Sequence, residues 1–145
     1  MTHLLDVNLL IALLWPQHEA HVKAQRCFGE NANYGWATCP ITQVGFIRIV
    51  SNPAFSRHSL SPKDALGILV ASLEHRAHRF WAEDIGVLEA FTASAQRLVG
   101  HHQVTDAYLL GLALHKKGKL ATFDASLPEL LSVGSPVRRY ISLVK

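Results

Sequence analysis

The sequence predicts an α/β domain built on a mainly parallel sheet. Short apolar runs of strand character alternate with longer stretches of helical spacing along the whole chain. Glycine and proline punctuate the junctions between them. The opening run, His3 to Leu14, is almost wholly apolar yet carries Asp6 and Asn8. That run is too short to span a membrane, which takes roughly 20 apolar residues, and it lacks the basic leader of a signal peptide. It reads as a buried strand, about 3–5, that delivers Asp6 at its end and turns into a helix.

The 145 residues suit one domain covering 1–145. A chain of this length buries about 68–70% of its extended surface and needs no staples. Its 49% apolar content points to a packed core, not to disorder. The net charge of +3 and isoelectric point near 9.1 are compatible with a polyanionic partner without requiring one. Cys27 and Cys39 have no metal-like spacing and are expected as reduced, buried thiols in a cytoplasmic protein.

A first helix is expected over Val7 to Leu14, stopped by Pro16, and a second over Glu19 to Phe28, closed by Gly29. Tyr34 to Cys39 reads as the second strand. Pro40 suits the first turn of a helix over Ile41 to Ser51, with Gln43 near the end of the preceding strand. Asn52 to Leu60 is turn-rich. Ser61 then caps a helix that runs to about Glu74, with Pro62 at its first position. His78 to Trp81 is the third strand. Ile85, Leu88, Phe91, Ala95 and Leu98 recur at helical spacing after Glu83-Asp84 and predict a helix ending at Gly100. The next helix, Gln103 to Lys116, is apolar over much of its surface and therefore central, with Gly118 at its end. A strand over Lys119 to Phe123 ends on Asp124. A helical turn over Leu127 to Leu131 precedes a final strand over Val137 to Val144, at an edge where Arg138 and Arg139 are tolerated.

In open parallel sheets, ligands gather beyond the carboxyl ends of the strands. Asp6 and Asp124 end strands, and Asp106 opens the helix before the Asp124 strand, where Thr105 can cap or support it. Carboxylates 4 Å apart repel by about 4 kcal/mol per pair at an effective dielectric near 20. A divalent cation reverses that sign. Oxygen-only ligands favour Mg2+ or Mn2+ over zinc. Such a centre activates water and stabilises charge on a phosphate. Each acid also has a plain alternative: Asp106 as a helix-dipole partner, Asp124 as a turn residue.

The nine histidines offer no third ligand at useful spacing and are expected on the surface. Arg48 can meet a phosphate or pair with a carboxylate. Arg57, His58, Lys116, Lys117 and Lys119 can form a basic rim or simply a solvated face.

With these residues in place, the chain resembles the PIN-domain family, and within it the VapC toxins of bacterial toxin–antitoxin pairs. The matching pieces are Leu4-Leu5-Asp6-Val7-Asn8, Gly35-Trp36-Ala37-Thr38-Cys39-Pro40, Gly45-Phe46-Ile47-Arg48, Ser51-Asn52-Pro53, Val104-Thr105-Asp106-Ala107-Tyr108-Leu109-Leu110 and Leu120-Ala121-Thr122-Phe123-Asp124. The resemblance implies a three-layer α/β/α fold with a parallel five-stranded sheet. It implies an endoribonuclease dependent on Mg2+ or Mn2+ that cuts RNA with a metal-activated water. A cognate antitoxin protein and a homodimer come with it. It also implies metal ligation by Asp6, Asp106 and Asp124, with Asn8 and Thr105 in support. Where the family usually carries glutamate, this chain has Gln43. Glutamine keeps an acceptor oxygen but loses the charge, so weakened activity, or an RNA- or partner-binding module, is the alternative expectation. Glu83, Asp84 or Glu89 would be the acids available to compensate.

Overall fold

The computed structural model describes residues 1–145, apart from the side chain of Ala32. Among the described residues, the strands are β1 (His3–Leu5), β2 (Trp36–Thr38), β3 (His78–Phe80), β4 (Lys119–Thr122) and β5 (Ile141–Leu143). They pair in the order β3-β2-β1-β4-β5, and every pairing is parallel. The chain moves outward from β1 to β2 and β3, then returns to the other side of β1 for β4 and β5. That reversal opens a crevice beyond the carboxyl ends of β1 and β4. The register there is His3 against Lys119 and Leu5 against Ala121. It sets the next residues, Asp6 and Thr122, side by side.

The alternation of side chains along the strands builds two cores. Leu4, Ala37 and Leu120 face helix α6 (Val104–His115), packing with Leu109, Leu110 and Leu112. Leu5, Trp36 and Ala121 face the other way. They meet α1 (Val7–Leu14), α2 (His21–Asn31), α3 (Pro40–Val50) and α4 (Pro62–Leu73) through Leu9, Leu10, Ala24, Phe46 and Leu69. Sheet strands buried on both faces read as continuous apolar runs, which is why β1 and β4 stood out. The three-layer α/β/α arrangement is the one expected. No helix among the described residues is long and apolar enough to cross a membrane.

Local chemistry explains the element ends. The Ser61 hydroxyl accepts from the Asp64 amide at 3.1 Å and starts α4, as its Ser-Pro sequence predicts. Helix α2 runs past Gly29 to Asn31, whose side chain bonds back to the Cys27 carbonyl at 2.9 Å. Just past the Lys116 C-cap of α6, Lys117 takes the left-handed conformation (φ 58°) expected of Gly118. Gly118 is needed for closeness instead: a Cβ there would lie 2.5 Å from both Trp81 and the Thr2 carbonyl.

The largest departure lies between residues 83 and 98. The expected long helix is only α5 (Val87–Ala90), followed by turns and a 3-10 turn at Ala95–Arg97. Ile85, Phe91 and Leu98 do pack against the core, but Leu88 is 91% exposed, so the helical spacing marked contacts made by turns and not one continuous helical face. The expected final strand over Val137 to Val144 is likewise split. Pro136–Tyr140 forms a 3-10 turn, where Pro136 lacks an amide for pairing, and only Ile141–Leu143 joins the sheet edge.

Candidate active site

Asp6 does two jobs at the end of β1. It is the N-cap of α1: its Oδ1 accepts from the Leu9 amide at 2.8 Å. Its other oxygen accepts a hydrogen bond from the Thr122 hydroxyl on the neighbouring strand. The side chain is buried, and burial pushes its pKa up; the Thr122 and Leu9 hydrogen bonds pull the other way, and the charge of Asp124 adds to the rise.

Thr122 is fully buried and ties two acids together. While donating to Asp6, its Oγ1 accepts from the Asp124 amide at 3.0 Å. Asp124 is exposed and turned onto its own loop, where Oδ1 accepts from the Ser126 amide (2.9 Å) and hydroxyl (2.6 Å). The sequence reading missed Thr122. Its signal was a hydroxyl in the last position of an otherwise apolar strand.

Asp106 sits in the first turn of α6, half-buried, with no hydrogen-bond partner among the described residues. Burial, together with the charges of Asp6 and Asp124, pushes its pKa up to about 6. The three acids therefore share one electrostatic neighbourhood at the switch point.

The supporting residues fall out differently. Asn8 is exposed and makes no hydrogen bond to Asp6, because it occupies the solvent side of the first turn of α1; Leu9 and Thr122 hold the acid instead. Thr105 is not the cap of α6, whose N-cap is Gln103; it lies exposed in the first turn. Gln43 turns its amide to Thr38, donating to Oγ1 at 2.9 Å, and the same oxygen lies 2.8 Å from His78 Nε2. Glu83 is engaged too. Its Oε2 accepts from the Ile41 amide at 2.7 Å and caps α3, whose N-cap residue, Cys39, is a poor acceptor. Glu83 and neighbouring charges do not help Cys39 ionise: burial pushes that thiol up to about 11. Asp84 pairs with Lys116 (3.0 Å) and His115 (3.1 Å). These bonds account for Glu83 and Asp84 without a role beside Gln43.

A cleft of about 410 Å3 adjoins the acids, walled by Val7, Ile41, Val44, Arg48, Glu83 and Thr105. Arg48 is exposed there and has no carboxylate partner among the described residues. Lys119 starts β4, at the opposite end of the sheet from Asp124, so the five basic residues do not form one rim around the acids.

The donor chemistry suits a hard divalent cation: the oxygens are carboxylate, and the charges of Asp6 and Asp124 add to the burial that lifts Asp106. The side-chain arrangement is open. Among the described residues no three His, Cys, Asp or Glu side chains are gathered as a group able to hold a metal ion. Both Asp6 oxygens are engaged by Leu9 and Thr122, while Asp124 Oδ2 and both Asp106 oxygens accept no hydrogen bond among the described residues.

Known proteins resemble this chain. The PIN-domain family profile matches residues 3–130. Ribonuclease VapC39 of Mycobacterium tuberculosis is 42% identical over 134 residues, covering 92% of this chain and 96% of that protein. Ribonuclease VapC44 of the same organism is 39% identical over 127 residues, covering 88% and 89%. The crystal structure of VapBC2 from Rickettsia felis, bound to a DNA fragment from its promoter, superposes with a TM-score of 0.63. That likeness covers 90% of this chain and 96% of that one at 12% identity, and is one of fold. The chain belongs to the PIN-domain family, among its VapC members.

Proposed function

We propose that this protein is a cation-dependent endoribonuclease, the toxin of a toxin–antitoxin pair. The observation that carries this reading is the electrostatic coupling of Asp106 with Asp6 and Asp124 at the switch point. The relatives named ribonucleases support RNA as the substrate. The reading includes a cytoplasmic setting, a cognate antitoxin and a homodimer.

Asp6, Asp106 and Asp124 would hold Mg2+ or Mn2+. When bound, the cation supplies Lewis-acid stabilisation of the phosphate and activation of a water. The chain does the positioning. The Thr122 hydroxyl fixes Asp6 and the backbone of Asp124 in one frame. Arg48 offers its guanidinium to a neighbouring phosphate in the adjoining cleft. Gln43, held by Thr38, keeps the α3 side of the site neutral. Water adds to phosphorus, the bond to the 3′ oxygen breaks, and that oxygen takes up a proton. The products are a 5′-phosphate and a 3′-hydroxyl.

A second reading is an RNA- or partner-binding module with little turnover. Two observations favour it: the neutral Gln43 and the open arrangement of the acids. Incubation of purified protein with labelled single-stranded RNA and Mn2+ separates the two. The nuclease reading expects fragments with 5′-phosphate ends, and rates lower by roughly 100-fold or more in Asp106→Asn and Asp124→Asn. RNA binding without cleavage above the Asp106→Asn background supports the module.

A further inference from the structure

The far end of the sheet from the acids holds a second cleft, of about 650 Å3. It is lined by His3, Tyr34, Lys119, Arg139, Tyr140 and Ser142, among others, and by no Asp or Glu. Its volume falls in the range of about 300–1,000 Å3 typical of ligand sites. Arg139 is pre-set there: its guanidinium stacks over the Tyr140 ring at 5.0 Å and donates to the Tyr140 hydroxyl at 3.0 Å. Neither Arg139 nor Lys119 has a carboxylate partner among the described residues. Tyr34 is 61% exposed.

Uncompensated cations beside the exposed Tyr34 ring suit single-stranded nucleic acid, whose phosphates meet the charges and whose bases stack on such a ring. Duplex DNA asks for something else, a protruding helix or ribbon that enters a groove. We infer that this cleft binds a nucleotide of the single-stranded RNA substrate away from the phosphodiester that is cut. The inference rests on the proposed ribonuclease reading. Strands of three or four residues set the two sites at least about 10–14 Å apart, and an RNA of several nucleotides would pass between them round the β5 edge of the sheet. The cleft thus contributes to affinity and to the choice of long substrates over short ones, and leaves the chemistry alone.

The test is fluorescence anisotropy of a labelled 12-nucleotide RNA, with the protein carrying Asp106→Asn to prevent cleavage. Adding Arg139→Glu and Lys119→Glu should weaken binding about tenfold or more and lower the salt slope by about 1–2. Tyr34→Ala, on an exposed ring, should weaken it about fivefold with the slope unchanged. Arg139→Lys should restore the slope. In the otherwise unaltered enzyme, the same charge changes should leave cleavage of a dinucleotide as it was. Binding within twofold of the parent in the double charge variant and in Tyr34→Ala would overturn the inference. So would a loss seen with single-stranded DNA and not with RNA. If cleavage persists while those variants bind RNA normally, the cleft fails alone. If the parent neither binds nor cuts RNA, the ribonuclease reading fails with it.

Discussion

The Thr122 hydroxyl donates to the Asp6 carboxylate across the β1–β4 junction and accepts from the Asp124 amide in the same geometry. One buried oxygen thereby joins the ends of two strands 116 residues apart in sequence. Removing it leaves Asp6 with a single donor, the Leu9 amide, in a buried setting. Thr122→Val keeps the shape and should cost about 1–3 kcal/mol, the penalty of an unsatisfied buried polar group. Thr122→Ser should recover most of that. Urea denaturation of the three proteins measures the difference, and equal midpoints would deny the hydroxyl its role.

Asp106 gives a pH signature. Its folded pKa is about 6, against an ordinary value of 3.8. Between those values the folded state holds more protons than the unfolded one. Its contribution to the stability of cation-free protein therefore falls as pH rises from about 4 to 6. The side chain is half-buried, so solvent screening should reduce the effect to about 1 kcal/mol. His3 and His78, whose pKa values are lowered first by burial, act oppositely: their contribution grows as pH rises toward 6.5. Asp106→Asn isolates the acid. At pH 7 in chelator it should melt about 2–4 °C above the parent, and the gap should close at pH 4. A parent that melts higher at pH 7 would contradict the raised pKa of Asp106.

The placement of α6, and so of Asp106, depends on Gly111. A Cβ at that position would lie 2.1 Å from the Ala90 carbonyl oxygen, inside the backbone of α5. Gly111→Ala should cost about 3 kcal/mol because backbone, not a side chain, must move. Gly67, inside α4, faces open space. Gly67→Ala should instead gain about 0.5–1 kcal/mol from helix propensity. Thermal melts of both variants test the contrast.

Much of this was legible in the sequence because the strands are buried on both faces. Leu4-Leu5 and Leu120-Ala121 read as apolar runs, and an acid following such a run has to lie near the sheet end. What escaped were partners chosen by three-dimensional proximity. Glu83 caps a helix 42 residues away, and Thr122 reaches Asp6 across a strand pair. Asn8, adjacent to the site in sequence, points to solvent instead. The segment after Glu83 misled for another reason. Its apolar residues recur at helical spacing, and Ile85, Phe91 and Leu98 do reach the core, but turns deliver them there and Leu88 is left exposed. At Gln43 the sequence identified the missing charge but not the bond to Thr38 that occupies its amide.

Calorimetric titration of Mn2+ into the purified protein tests whether Asp6, Asp106 and Asp124 form a cation-binding centre. The parent should bind saturably, Asp106→Asn should lose most of that binding, and Gln43→Glu should bind more tightly. That last change puts a carboxylate on α3, able to accept from Thr38 at the carboxyl end of β2. Folded parent and Gln43→Glu proteins that both bind no Mn2+ would contradict such a centre and leave the binding-module reading in its place.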